Sequence, residues 1–135
     1  MADLFDKTTR ALGASVNFRQ TRNNIISANI ANAETPGYQA KKLDFEDALV
    51  RALDFEDAKP ETSSEGHMST GPGAISRARA DIYENPDVSV NNDGNTVDVE
   101  KEMTSLAENS IMYKAAIQLI NKKMATLKYA ASDGR

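Results

Sequence analysis

This 135-residue chain predicts a mainly α fold in which long N- and C-terminal helices pair in a coiled-coil-like bundle, with a short helix and an irregular loop or minor β region between them. Three observations carry that expectation. The C-terminal third places Met103, Leu106, Ser110, Tyr113, Ile117, Ile120, Met124, Leu127 and Ala131 at alternating steps of three and four, an a/d seam sustained for about four heptads. The N-terminal segment repeats the same step with Phe5, Thr9, Leu12, Val16, Arg19, Asn23, Ile26, Ile30 and Ala33. Between them, Lys59 to Arg79 turns to Pro, Ser, Gly and Thr with almost no large apolar side chain, the composition of loop or disorder. The expected division is therefore 1–35 as N-terminal helix, 36–95 as turn, short helix and loop or extended region, and 96–135 as C-terminal helix, in one structural unit overall.

The first helix is polar at mid-seam, where Arg19 and Asn23 stand. Such positions must meet polar positions of the second helix or of a neighbouring subunit, because a buried polar group without a partner is costly. The helix ends in Ser27-Ala28-Asn29-Ile30-Ala31-Asn32-Ala33-Glu34-Thr35-Pro36-Gly37-Tyr38. Pro36 lacks an N–H and biases Thr35 away from helical angles. Pro36-Gly37 suits the centre of a type II turn, with Gly37 taking a positive φ. Asn29 and Asn32, three residues apart among small side chains, can each donate and accept. The expectation is that they fix the axial register of a neighbouring subunit's helix more than they serve the subunit's own folding.

Leu43 to Leu53 reads as a short amphipathic helix with Asp44 as N-cap and Leu43 packed against Ala48. The hexamer LDFEDA occurs at Leu43 and again at Leu53. A shift of about 2.8 turns puts the copies on different helix faces, so the repeat carries no shared function. Asp81 to Asn92 can hold a short strand or extended arm around Ile82-Tyr83 and Val88-Ser89-Val90. A tight turn at Asn92-Asp93-Gly94-Asn95 then leads into the last helix. That helix, from near Val99 to Ala131, should be roughly 50 Å long at ~1.5 Å per residue. Asp98, Glu100 and Glu102 at its start and Lys122, Lys123 and Lys128 near its end both suit the helix dipole.

Composition narrows the function classes. Sixteen Lys and Arg against twenty Asp and Glu give a net charge of −4, with no basic run, which leaves no electrostatic footprint for nucleic acid. There is no Cys, so neither disulfides nor thiolate metal sites arise. The opening Met1-Ala2-Asp3-Leu4-Phe5-Asp6-Lys7 has acids where a secretory signal needs a basic region. No stretch is apolar enough to span a bilayer, so direct membrane insertion is not expected. The single histidine, His67, lies in the Gly/Ser-rich stretch with no nucleophile or base placed around it, so no catalytic residue and no cofactor is assigned. Ser89, Asn91, Asp93, Gly94 and Glu100 match part of the spacing of a calcium-binding EF-hand loop. Ser89 at the first position, Thr96 at the eighth and Pro86 before the loop all depart from it, so no metal site is assigned.

The string Ser27–Tyr38 closely resembles the N-terminal signature of the bacterial flagellar rod and hook proteins, the axial components of the flagellum. Asp93-Gly94-Asn95-Thr96-Val97-Asp98-Val99-Glu100-Lys101-Glu102-Met103, followed by Asn109-Ser110 and Tyr113, resembles the C-terminal signature of the proximal rod members of that family. FlgC-type rod proteins share the valine–acid–Met helix start but usually lack this turn. His67-Met68 also resembles a proximal rod feature. The resemblance covers roughly 10–53 and 93–131. It implies a non-enzymatic structural subunit that assembles helically into the periplasmic rod and transmits torque. It would be exported through the flagellar type III apparatus without a cleaved signal peptide. The implied partners are copies of itself, FlgC and distal rod proteins, FliE and the MS-ring. Subunit packing falls on Leu12, Val16, Ile26, Asn29, Ile30, Asn32, Met103, Leu106, Tyr113, Ile117, Ile120, Met124 and Leu127. The turn and signature residues are Thr35, Pro36, Gly37, Tyr38, Asp93, Gly94 and Asn95. Another rod subunit of the family, and a cytoplasmic helical adaptor using the same seam, remain alternatives.

Overall fold

The computed structural model describes residues 6–57 and 74–132. The expectations for Phe5, for His67-Met68 and for most of the Lys59–Arg79 loop lie outside those residues. Two long helices, α1 (Lys7–Ala31) and α4 (Val99–Ser132), pack along each other. They run antiparallel: Asp6 meets Lys123 at one end, and Asn29 meets Glu102 at the other. Between them the chain forms β1 (Lys41–Asp44), α2 (Glu46–Asp57), α3 (Ala74–Arg77) and β2 (Asp81–Glu84). The mainly α pairing expected from the two seams is what the chain adopts.

Each end of the pair is set locally. Asp6 caps α1, its carboxylate accepting from the N–H and the hydroxyl of Thr9 at 2.9 and 2.8 Å, which satisfies donors the first turn cannot use. Asp98 caps α4 in the same way, accepting from Lys101 N–H at 3.2 Å. At 34 residues, α4 is about 51 Å long.

The two strands form an antiparallel pair with Lys41 opposite Glu84 and Asp44 opposite Asp81. Asn85 N–H donates to Ala40 O at 2.8 Å, so by alternation the backbone groups of Lys41 and Leu43 point away from β2. Side chains of α1 take them up. Asn29 accepts from Lys41 N–H at 3.0 Å and donates to Lys41 O at 2.8 Å, and Arg22 Nε donates to Leu43 O at 2.9 Å. A helix thus stands in for a third strand along the inner edge of β1. The small core under it holds Ala40, Leu43, Phe45, Ala52 and Ile75.

Three local expectations are corrected. The middle helix begins at Glu46, not Leu43, because residues 41–44 are drawn into strand pairing. Asp44 is therefore not its N-cap; Phe45 holds that place, and its carbonyl accepts from Leu49 N–H at 2.9 Å. Residues 74–77, expected as loop, form the short helix α3, whose Ile75 is buried. Of the strand or extended arm expected over 81–92, Ile82-Tyr83 form strand and residues 88–90 run without regular structure. The repeated hexamer takes two shapes, strand end and helix start at Leu43 but helix at Leu53–Asp57.

Candidate functional site

The two signature motifs, about sixty residues apart in sequence, are two halves of one structure. Thr35-Pro36-Gly37-Tyr38 forms the expected turn, with Tyr38 N–H bonded to Thr35 O at 3.3 Å and Gly37 at φ 72°. The second turn lies one residue earlier than expected. Gly94 N–H donates to Asn91 O at 2.9 Å and Asn91 N–H to Asn95 O at 2.8 Å, with Gly94 at φ 79°. That is the pattern of a hairpin loop closed by a left-handed glycine. The Asp93 carboxylate, read above as part of a calcium-loop spacing, accepts from Asn95 N–H at 3.1 Å and so braces this turn.

The turns then lock together. Gly37 N–H donates to Asp93 O at 3.0 Å, and Thr96 N–H to Tyr38 O at 3.0 Å. Ala40 N–H donates to the Thr96 hydroxyl at 2.8 Å. A Cβ on Gly94 would sit 3.5 Å from the Cα of Gly37, an ordinary van der Waals distance, so what the two positions require of glycine is the left-handed backbone angle. At the centre is Asn95, 0% exposed. Its Nδ2 donates to the carbonyls of Asn32, Ala33 and Thr35 at 2.9, 3.0 and 2.7 Å, while its Oδ1 accepts from Val97 N–H at 2.7 Å. Carbonyls at and beyond a helix C-terminus have no partner in the helix. Asn95 supplies one from the far end of the chain.

Asn29, also 0% exposed, uses all four of its hydrogen-bonding positions inside the subunit. Besides Lys41 it donates to Glu102 Oε1 at 3.1 Å and accepts from the Tyr38 hydroxyl at 3.2 Å. Asn32 is the C-cap residue of α1, donating to Ala28 O at 2.8 Å and accepting from the Thr35 hydroxyl at 3.2 Å. Both carboxamides therefore have partners inside the subunit, and their expected role between subunits stands as a proposal. Asn29 ties α1, β1 and α4 of one subunit, and Asn32 closes its own helix end.

The seam is also shifted on one side. Leu106, Tyr113, Ile120 and Leu127 are half-buried, as expected, but the alternating positions that turn inward are Glu102, Asn109 and Ala116. Met103 is 52% exposed, while Ile117 and Met124 are half-buried at the edge. On α1, Ile26 is buried, and Leu12, Val16 and Ile30 are half-buried. The inward shift lets polar positions meet. Asn109 Nδ2 donates to Arg19 O and Asn23 Oδ1, both at 2.8 Å, and Arg19 Nη1 donates to Asn109 Oδ1 at 3.2 Å. Of the two possibilities open from sequence, the polar mid-seam residues meet one another.

Two residues that the sequence reading passed over hold the middle region to the pair. Arg22 grips Glu46 with both guanidinium nitrogens at 2.7 Å and lies 4.6 Å from the ring centre of Phe45, itself stacked at 5.1 Å on Phe18. Burial alone would raise the Glu46 carboxyl. The Arg22 hydrogen bonds outweigh it, with help from the N–H groups of Phe45 and Glu46, and hold it at about 2. Arg22 and Asn29 stand two turns apart on α1, and that common face was the one available signal. Lys123 bonds to Asp6, holding that carboxyl at about 2 with further help from Thr9. Glu102 is the opposite case: burial pushes its carboxyl up, against the bond from Asn29, and nearby Asp98 adds to the rise.

The two interlocked turns form a clasp, and residues 16–39, most of α1 and the first of those turns, match the family described as "Flagella basal body rod protein". The chain is 31% identical over 139 residues to the flagellar basal body rod protein FlgB of Proteus mirabilis, covering 99% of this chain and all of that one. It is 35% identical over 130 residues to FlgB of Aeromonas hydrophila, covering 94% of each. Against FlgB of Bacillus subtilis it is 33% identical over 132 residues, covering 98% of each. The chain belongs to the FlgB family of flagellar basal body rod proteins. Its helical pair and its clasp thus form the frame of a FlgB-family subunit, and the similarity spans both halves of that clasp.

Proposed function

We propose that the chain is a non-enzymatic structural subunit of the flagellar basal body, built helically into the proximal rod that crosses the periplasm and transmits torque. The observation that carries this is full-length similarity to relatives named as rod proteins, in a chain whose two ends form one continuous helical pair. A stiff rod of this kind suits load-bearing along its axis. Large apolar side chains on α4, among them Met103, Ile111, Met112, Leu119 and Tyr129, stay exposed in the single subunit. Surface of this type suits further packing. Met103, Ile117 and Met124, along one edge of the seam, are subunit-packing residues in this reading. Its partners are copies of itself, FlgC and distal rod proteins, FliE and the MS-ring, reached after export through the flagellar type III apparatus without signal cleavage.

Deleting the gene and imaging basal bodies by electron microscopy tests the proposal. Rods should be missing and should return when the gene is restored. Intact rods in the deletion strain would remove the rod reading and leave a cytoplasmic adaptor using the same helices.

A further inference from the structure

Asp-Gly occurs twice in the sequence, at Asp93-Gly94 and at Asp133-Gly134, the second outside the described residues. The pair is chemically labile because glycine has no side chain to screen its amide nitrogen from the carboxyl before it. That nitrogen can bond to the aspartyl Cγ. From the protonated carboxyl, the amide hydrogen and the hydroxyl leave together as water, and a five-membered succinimide closes. Water then opens the ring at either carbonyl. One product is the original aspartate, and the other is isoaspartate, whose main chain runs through the side-chain carbon. At Asp81-Ile82, Asp87-Val88 and Asp98-Val99 a branched residue crowds the same nitrogen.

Asp93 is exposed, so water reaches it and burial gives no protection. The backbone does. Gly94 N–H bonds to Asn91 O at 2.9 Å, which makes Asn92 and Asp93 the central pair of a turn. Among the described residues only glycines have a positive φ, so the turn is type I. Its second central residue has ψ at about 0°, about 120° from the angle at which Cβ eclipses the next nitrogen and the ring can close. Turning Asp93 that far breaks the Gly94–Asn91 bond and swings the Asp93 carbonyl off Gly37 N–H, from which it accepts at 3.0 Å across the clasp. The Asp93 carboxylate must also release Asn95 N–H, held at 3.1 Å. Asn95 and Thr96, buried just beyond, are tied to Thr35 and Ala40, so the turn does not relax alone.

We propose that Asp93-Gly94 is a latent isoaspartate site, held shut by the clasp and reactive in a chain whose clasp is open. The product bears on the clasp in turn. Isoaspartate adds one atom to the main chain of the turn. It also converts the carbonyl that accepts from Gly37 N–H into a free carboxylate, and the old side-chain acceptor of Asn95 N–H into a main-chain amide. The two turns then no longer fit as built, and a chain kept open too long loses its means of closing.

Four full-length samples are incubated in mildly acid buffer: folded wild type, wild type in guanidinium chloride, Asn95→Ala and Thr96→Val. Isoaspartate is counted by methylation with an isoaspartyl methyltransferase and placed by peptide mapping. In denaturant both Asp-Gly pairs lie in open chain, so Asp93 and Asp133 should react at similar rates. Where opening is fast, the rate in the folded protein follows the open population, so Asp93 there should react at least about tenfold more slowly than in denaturant. Each clasp variant should raise the Asp93 rate several-fold while circular dichroism still shows helix, and Thr96→Val decides if Asn95→Ala unfolds. Wild type isomerised in denaturant and then diluted should recover less helix as isoaspartate at 93 accumulates. Asp93→Ser treated in the same way should recover fully. No isoaspartate at Asp93 in denaturant, equal rates in folded and denatured wild type, a helical Thr96→Val with the wild-type rate, or full recovery of isomerised wild type would each overturn the proposal.

Discussion

Replacing Asn95 by Ala should be among the most damaging single changes available in this chain outside its apolar core. The side chain contributes two Nδ2 protons shared among the carbonyls of Asn32, Ala33 and Thr35, and one acceptor for the N–H of Val97. Truncation therefore removes about three hydrogen bonds at ~1 kcal/mol each. The buried Val97 N–H left without its acceptor adds ~1 kcal/mol or more. Water reaching the exposed Thr35 carbonyl returns part of this. A net loss of ~3–4 kcal/mol follows, or roughly 10–15 °C in melting temperature for a chain of this size. Urea denaturation followed by circular dichroism measures the total. Amide exchange locates it, because protection should fall at Val97 and at the end of α1. Asn95→Asp should cost at least as much at neutral pH, since it sets a carboxylate against three carbonyl oxygens. Asn92→Ala, at an exposed position of the same turn, should stay within ~0.5 kcal/mol. A loss below ~1 kcal/mol in Asn95→Ala, or an Asn95→Asp that matches wild type, would refute the account of Asn95 as the cap of the first helix.

Asn29→Leu should destabilise the subunit itself by ~2–4 kcal/mol, because Lys41 and Glu102 lose their partners in a buried site; urea midpoints that match wild type would return Asn29 to a role between subunits. Arg22→Lys should weaken the hold on Glu46 and Leu43 by ~1–2 kcal/mol, because an ammonium cannot reproduce the paired contacts, and denaturation of the single mutant measures it. For Glu102 the sign runs opposite to an ordinary paired acid. Its folded-state carboxyl is raised above 4.5 by burial, so its favourable contribution is complete below that pH and is lost as pH rises through the folded value. Glu102→Gln should therefore melt higher than wild type at pH 7, with the gap closing near pH 4; an unchanged gap across that range would count against the burial argument. Asp6 and Glu46, both held at about 2, act the other way. Their contributions are present above pH ~4.5 and lost as pH falls towards 2, so Asp6→Asn should flatten the acid limb of a melting-temperature profile.

Much of the fold is legible from periodicity because helices announce themselves at a fixed interval. Leu106, Tyr113, Ile120 and Leu127 fall on the seam for that reason, and Pro36-Gly37 sets its own turn. The other half of the seam was misread where an apolar residue stands beside a polar one. Met103 fits a hydrophobic a-position where Glu102 does not, and Ser110 stands in the same frame beside Asn109, yet Glu102 and Asn109 turn inward. What decides between them is the set of partners waiting on α1, Asn29 opposite Glu102 and Arg19 with Asn23 opposite Asn109. The clasp was legible only as two separate turns. A carboxamide reaching carbonyls sixty residues away leaves no period, spacing or composition that a linear reading can detect. Asp44 misled for a related reason: local capping chemistry favoured a helix start, and pairing with Asp81 on a distant strand overrode it.

The closing of the subunit by its own two ends has a consequence for when it can fold. The contacts that hold α1 span 73 residues from Asn29 to Glu102, 90 from Arg19 to Asn109 and 117 from Asp6 to Lys123. Bringing together chain ends some 90 residues apart costs about 4 kcal/mol in the length-dependent part of loop entropy alone, and contacts so distant in sequence form late. A ribosome releases α1 well before α4, so the first helix has no seam to join until α4 has been made. The same holds for any process that keeps one end of the chain away from the other. While the ends are apart, the middle strands lack the helix face that completes their edge, and the whole subunit remains unassembled.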